Sequence, residues 1–214
     1  MSTPSSRIIS IYKSRRTILE LLDNEQYQVD DYLGFSVNEI DAMYTNSQLD
    51  MLLTNTADER KLYIKYYVSP KQTAKQIRPA NLDEIVEDLF VIDNVLTKND
   101  TLVIIIDDEP NETIINKVKY LYERDGIFVV IHNIQRLQFN ILNHALVPKI
   151  QVLTEKETQE LYAKYNLTSA AQLPEISRFD PQALAICLRP GKVCKITRDS
   201  ATAMTHDHYR MCVN

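Results

Sequence analysis

The sequence predicts two domains of different make, an α/β domain over residues 1–142 and a small α+β domain over residues 143–214. Three observations carry that division. Residues 101–106 and 127–131 are unbroken apolar runs rich in β-branched side chains, with an amphipathic segment at 111–123 between them. Apolar runs without alternation, joined by a helix, describe a parallel βαβ unit covered on both faces. After residue 142 the mixture changes to short strands, two capped helices and a Pro-Gly turn. Charge changes sign as well: residues 1–143 hold 15 Lys/Arg against 22 Asp/Glu, and residues 144–214 hold 9 against 7, so −7 gives way to +2.

In order, residues 6–22 predict a helix, with Ile8, Ile11, Tyr12, Leu19 and Leu22 on one side. Ser36-Val37-Asn38-Glu39 has the form of a capping box, with Phe35 and Ile40 as its hydrophobic staple and Ile40, Met43 and Tyr44 as the buried side. Residues 49–54 and 61–68 predict a hairpin. In its second strand Leu62, Ile64 and Tyr66 alternate with Tyr63, Lys65 and Tyr67. Pro70 and Pro79 bracket a polar loop, and Asn81-Leu82-Asp83-Glu84 opens a helix with Leu82, Ile85, Leu89 and Phe90 inward. The βαβ unit follows, its helix stopped at Gly126. Beyond it, Thr154-Glu155-Lys156-Glu157 is a second capping box, opening a helix to about Tyr165. Asp180-Pro181 places an N-cap before a first-turn proline, for a helix to about Cys187. Pro190-Gly191 is a turn, and residues 192–198 and 209–213 predict paired strands.

Composition excludes several classes. The net charge of −5 is not that of an electrostatic nucleic-acid binder. Arg7, Lys13, Arg15 and Arg16 nevertheless form a positive block with no acid before Glu20; it fits a phosphate-facing surface or, preferably, a solvated helix face. Cys187, Cys194 and Cys212 are an odd set without C-x-x-C spacing, so neither a disulfide framework nor a zinc knuckle is expected, and a reducing compartment fits. No apolar run approaches 18 residues, so no membrane span is expected, and residues 1–6 lack a signal core.

Motifs that carry chemistry are sparse. Residues 104–108 resemble the acidic end of a nucleotide-binding strand. That chemistry also needs a Gly-rich phosphate loop, and Gly34, Gly126 and Gly191 are the only glycines. His206, His208 and Cys212 are too few for structural zinc. His132 and His144 lie beside apolar runs and read as buried, hydrogen-bonded histidines. No nucleophile elbow, Cys/His constellation or framed carboxylate pair occurs.

The C-terminal landmarks are more specific. They are His144-Ala145-Leu146-Val147-Pro148-Lys149, Leu173-Pro174-Glu175-Ile176-Ser177-Arg178, Asp180-Pro181-Gln182-Ala183, and Leu188-Arg189-Pro190-Gly191-Lys192-Val193-Cys194-Lys195-Ile196. Arg198-Asp199-Ser200-Ala201-Thr202-Ala203 and Tyr209-Arg210 complete the set. That ordered set resembles the C-terminal domain of the fifth subunit shared by the eukaryotic nuclear RNA polymerases, which has a counterpart in the archaeal RNA polymerase. The family pattern runs H-x-L-V-P-K-H, L-P-x-I-x-x-x-D-P, L-x-x-G-x-V-x-K-I-x-R, x-S-E-T and Y-R. The match covers residues 144–214, while the N-terminal part matches in length and element order alone. Ile150 stands where the family has His, Ala201 where it has Glu, and Met204 where it has Gly.

The resemblance implies a non-catalytic subunit of a multisubunit DNA-dependent RNA polymerase, with no catalytic residue, cofactor or metal of its own. Its C-terminal domain would dock on the largest subunit among other polymerase subunits. The implied partner-subunit interface comprises His144, Leu146, Pro148, Lys149, Arg178, Asp180, Pro181, Arg189, Gly191, Lys195, Arg198, Ser200, Thr202, Tyr209 and Arg210. The N-terminal domain would be a restriction-nuclease-like jaw beside downstream duplex DNA, with Pro110, Asn111 and Thr113 nearest the duplex. A helix start there offers free N–H groups to phosphate, but Asp107, Asp108, Glu109 and Glu112 oppose it. Nuclease chemistry on that fold needs an acid and an E-x-K-like strand; here the strand reads Tyr63-Ile64-Lys65, which favours a scaffold. The rival reading is a free-standing, metal-dependent nucleic-acid-processing enzyme. The location implied is the nucleus if the chain is cellular. Its Asn, Asp, Ile and Tyr usage and three motif departures also suit a large DNA virus, with a host cytoplasmic replication site or virion.

Overall fold

The computed structural model describes residues 4–68 and 77–214. Residues 69–76, which include most of the polar loop expected between Pro70 and Pro79, and the start Met1-Ser2-Thr3 lie outside the described residues. The chain divides into two compact units, 1–140 and 141–214. No helix among the described residues is long and apolar enough to cross a membrane.

The first unit is built on a four-stranded sheet in the order β1-β2-β3-β4. Strands β1 (Met51–Thr54) and β2 (Lys61–Tyr66) form an antiparallel hairpin. Strands β3 (Thr101–Ile106) and β4 (Phe128–Asn133) add parallel pairings, β2 to β3 and β3 to β4. Every residue of β3 and β4 is buried. That is why neither apolar run alternates: each strand is covered on both faces, and the polar side chains Thr101, His132 and Asn133 sit only at the strand ends. In β2, Leu62, Ile64 and Tyr66 are buried and the intervening residues are not, the period of a half-covered strand.

The free edge of β1 is capped by residues 26–32. Gln28 N–H donates to Thr54 O at 2.9 Å, and the Tyr32 hydroxyl donates to Leu52 O and accepts from Leu52 N–H, both at 3.1 Å. An open ladder edge is a pairing hazard, and this segment blocks it.

Helix α1 (Pro4–Asn24) buries a wider face than its predicted stripe, adding Ile18, Leu21, Ser14, Arg15 and Thr17, whereas Tyr12 stays half-exposed. Helix α2 (Val37–Thr45) starts at the Ser36–Glu39 capping box, with Ser36 N–H donating to Glu39 at 2.7 Å. It buries Ile40 alone. Met43 and Tyr44 are half-buried, and the Tyr44 hydroxyl hydrogen-bonds the Arg7 guanidinium at the surface. Helix α3 (Pro79–Glu87) opens at Arg78, three residues before the expected start. Asn81 occupies the third helical position and its side chain reaches back to the Arg78 N–H at 3.3 Å. Leu82, Val86 and Leu89 are its buried residues, Ile85 and Phe90 are half-buried, and a wider π-turn at Asp88–Ile92 ends it. Helix α4 (Glu112–Asp125) is capped by Asn111, which accepts from Ile114 N–H at 3.0 Å. It ends at Gly126, whose φ of 72° is the left-handed region open to glycine. Ile114, Val118 and Leu121 are its buried stripe.

The second unit carries a four-stranded sheet in the order β5-β7-β8-β6. Strands β7 (Val193–Ser200) and β8 (Met204–Val213) form a long antiparallel hairpin. Strand β5 (Lys149–Val152) joins β7 antiparallel, and β6 (Glu175–Ser177) joins β8 parallel. One core gathers Ile176, Ala183, Ile186, Leu188, Cys194, Ile196 and Cys212. A second joins Leu153, Leu161 and Val193. Helix α5 (Glu155–Tyr165) begins at the Thr154–Glu157 capping box. Helix α6 (Pro181–Ala185) stops two residues before its predicted end. Cys187, at φ 48°, takes the left-handed position there; its N–H bonds Leu184 O at 3.2 Å and Leu188 N–H bonds Ala183 O at 2.9 Å. That is a Schellman ending without the glycine that usually announces it.

The β7–β8 hairpin outruns its predicted strands. Residues 201–208 are all exposed, so the tip carries no apolar pattern and is held by the ladder itself, down to the pair Ser200–Met204.

Candidate functional site

The His144–Lys149 stretch resolves into a turn that ends where β5 begins. Val147 N–H donates to His144 O at 2.9 Å, and Leu146 N–H to His144 Nδ1 at 3.2 Å. His144 is exposed, contrary to the expectation of a buried histidine, because its ring serves this surface turn; His132, on β4, is buried. Leu146 is 87% exposed at the tip of the turn. Gln182, on α6, donates to Pro148 O at 3.0 Å and pins the turn to the helix that Asp180 caps through Gln182 N–H at 2.9 Å.

Between this turn and the hairpin lies an open groove of about 680 Å³. Ala145, Leu146, Val147 and Pro148 form its apolar side; Lys149, Thr197, Arg198, Asp199 and Thr205 form its polar side. The groove exists because β5 starts only opposite Thr197 while β7 continues to Ser200. The structure therefore brings Leu146, Pro148, Lys149 and Arg198 to one place. Gln182, Thr197, Asp199 and Thr205 join them, and nothing in the sequence motifs singles these out as a group.

Other implied interface residues have local tasks. Ser200 Oγ accepts from Ala203 N–H at 3.3 Å and lies 3.4 Å from the Thr202 hydroxyl, closing the hairpin turn. Lys195 pairs with Asp207 at 3.7 Å. The Thr197 hydroxyl, first, and then Lys195 hold Asp207 below the usual carboxylate range. Tyr209 packs its ring 6.0 Å from Tyr165, and burial pushes its phenol up. Arg210 donates to Glu175 O at 2.8 Å, tying β8 to β6. Gly191, at φ 85°, turns the chain so that its N–H meets Cys212 O at 2.8 Å. Pro181 is exposed and Arg189 half-buried. Met204 adopts φ 59°, a left-handed conformation that favours glycine, the residue the family pattern has there.

Arg178 departs from its implied role. It is 3% exposed, donates to Asn214 Oδ1 at 3.1 Å and stacks on Phe179 at 5.3 Å. It is an interior arginine holding the end of β8, not a surface contact.

The metal-like residues do not converge. His206 and His208 stack edge to face at 4.6 Å on the exposed hairpin, whereas Cys212 is buried in the core. Burial pushes Cys194 up to about 11 and Cys212 up to about 12, so both remain thiols, poor metal ligands. Among the described residues no three His, Cys, Asp or Glu group as a metal site.

In the first unit, Lys65 Nζ meets Asp50 at 2.6 Å, and Asp50 also takes the Tyr63 hydroxyl at 3.2 Å and Tyr66 N–H at 2.9 Å. Lys65 is thus paired to a carboxylate that is itself filled by three donors. Near the start of α4, Pro110 is half-buried and Thr113 exposed, and the Asn111 side chain is occupied as the cap. Of the crowding acids, Asp107 is paired with Arg7 and Glu109 with Arg136 at 2.9 Å. The basic block is divided. Arg7 is taken by Asp107, Arg15 is buried, and Lys13 and Arg16 remain at the surface. Neither a continuous phosphate-facing surface nor a solvated face describes it.

Residues 139–212 match the family model described as RNA polymerase Rpb5, C-terminal domain. Over 76 residues the chain is 42% identical to DNA-directed RNA polymerase subunit Rpo5 of Thermococcus kodakarensis, covering 92% of that protein and 36% of this chain. The chain belongs to the Rpb5 family. The Rpo5 of Pyrococcus abyssi shows the same identity and coverage. The subunit RPABC1 of DNA-directed RNA polymerases I, II, and III from Caenorhabditis elegans is 46% identical over 77 residues, 36% of each chain. The matched segment is the second unit up to residue 212 together with two residues of the first. The Leu146–Arg198 groove therefore lies wholly on the Rpb5-like domain.

Proposed function

We infer that this chain is a non-catalytic subunit of a multisubunit DNA-directed RNA polymerase, assembled with other polymerase subunits through residues 141–214. One observation carries the reading: 42% identity across 92% of an archaeal subunit that is little longer than this domain. The free-standing enzyme has no comparable support, and its lysine is already engaged by Asp50.

The finer reading assigns the Leu146–Arg198 groove to the largest polymerase subunit. An exposed leucine beside an arginine and a lysine suits a partner surface with an apolar anchor and carboxylates, which arginine's planar fork binds in two-pronged fashion. The first unit, with a mixed sheet and a βαβ half, is proposed as a nuclease-like jaw that serves as scaffold beside downstream DNA, with the start of α4 nearest the duplex. A nuclear location goes with this reading.

The test is co-purification. A tagged full-length chain expressed in its source recovers the polymerase subunits, and a Leu146→Asp, Arg198→Glu variant lowers that recovery about tenfold or more. Both side chains are exposed, so the variant keeps its fold. Unchanged recovery would move the interface off this groove, and recovery of no polymerase subunit would remove the function itself.

A further inference from the structure

The first unit has a second groove, of about 240 Å³, between α1 and the segment leading into α2. Tyr12 and Leu19 line it on one side, Tyr32, Leu33 and Phe35 on the other. The charged side chains along it are both arginines, Arg15 and Arg16. Asp30 and Asp31, exposed just before Tyr32, do not line it.

Arg15 is the unusual member. It is 4% exposed, its guanidinium lies 5.7 Å from the Tyr32 ring and 5.5 Å from the Phe35 ring, and Nη1 donates to Leu49 O at 2.8 Å. Its Nε is buried without a hydrogen-bond partner. Among the described residues no carboxylate pairs with Arg15 or Arg16. Residues 1–3 and 69–76 contain no Asp or Glu. A guanidinium removed from water without a counter-charge is unfavourable, and two ring faces offset only part of that. Burial accordingly pushes the Arg15 pKa down. Arg16, by contrast, stands exposed at the same groove, and Leu33 is 52% exposed at its rim.

Size and charge choose the occupant. The volume falls below the roughly 300–1,000 Å³ of small-molecule sites, so the groove takes one bulky side chain rather than a nucleotide. The −7 charge of residues 1–143 works against a run of phosphates. Two unpaired cations beside aromatic walls favour an anion carried next to an apolar group. We propose that this groove docks a short linear segment of another protein in which a bulky apolar side chain is flanked by aspartate or glutamate. The apolar side chain enters between Tyr12 and Phe35, the acid meets Arg16, and Arg15 supplies positive potential from behind the wall, where low polarity strengthens it.

The experiment uses the full chain and a fluorescein-labelled 12-residue peptide alternating Asp with Leu and Phe, read by anisotropy. Saturable binding is expected, weakened about tenfold by Arg16→Glu or by alanine in place of the apolar residues, and abolished in a peptide with Lys for Asp. Lys13→Glu, on the same helix but outside the groove, leaves binding unchanged. Leu33→Ser weakens it without altering charge. Absence of saturation, equal losses from Lys13→Glu and Arg16→Glu, or tighter binding of a 12-nucleotide single-stranded RNA would each overturn the proposal.

Discussion

Arg7 of α1 grips Asp107 at the end of β3 with both guanidinium nitrogens, across 100 residues of sequence. Both side chains are about three-quarters covered, at 23% and 24% exposure. Burial alone would lower the Arg7 pKa; the hydrogen bonds and charge of Asp107, with help from Tyr44, more than offset it. The pair anchors the long N-terminal helix to the most buried strand of the sheet.

Arg7→Ala therefore destabilises the first unit by about 1–3 kcal/mol, the scale of a charged hydrogen-bonded group left without its partner. Asp107 would remain half-buried beside Asp108. Urea unfolding measures the loss, and hydrogen exchange shows it concentrated in α1 and the end of β3. An unchanged midpoint would mean that the pair is a surface contact of no consequence.

Acid should loosen α5 before it loosens the sheet. The Thr154 N–H and then its hydroxyl bind Glu157 and hold its pKa below the ordinary glutamate value. A carboxylate depressed in the folded state adds stability above its unfolded pKa of about 4.3, and that stability is lost as pH falls through the lower folded value. The side-chain resonance of Glu157 should titrate below the ordinary range, and Thr154→Ala should return it there. Glu39, held by Ser36, should behave alike.

The isolated chain should not cleave DNA with magnesium or manganese, and Lys65→Ala should change nothing in that assay. Lys65 and Asp50 are committed to each other, and the remaining Asp50 oxygen binds a backbone N–H. Duplex DNA should bind no tighter than roughly 10⁻⁴ M at physiological salt. Two of the four basic residues near the N-terminus are withdrawn, Arg7 into its ion pair and Arg15 into the interior. Cleavage that vanishes in Lys65→Ala, or tight binding with a steep salt slope, would revive the enzyme reading.

Local chemistry was legible in the sequence. Ser36–Glu39, Thr154–Glu157, Gly126 and Asp180-Pro181 each act within a few residues, so their marks on helix ends survive folding. The unbroken runs of β3 and β4 and the alternation of β2 are equally direct, because burial on one face or two is written in the period. Where local marks mislead, the competing effect is identifiable. Asn81 looks like a cap but reaches back from inside the helix, and Cys187 ends α6 without a glycine to mark it.

The sequence by itself determined the capped starts of α2, α5 and α6, the buried strands and the ordered motifs that carry the family. Only the tertiary structure decided what those motifs do. Strands of three and four residues, β6 and β5, are too short to carry a period and exist because longer neighbours pair with them. Arg178 and Arg198 are alike as letters, yet one is interior and the other lines a groove. Arg15 and Arg16 are adjacent, yet one is stacked under two rings and the other is in solvent. The reason is common to all three cases. Burial and pairing of a group depend on which distant elements close over it, and a sequence records residue types, not what folds on top of them.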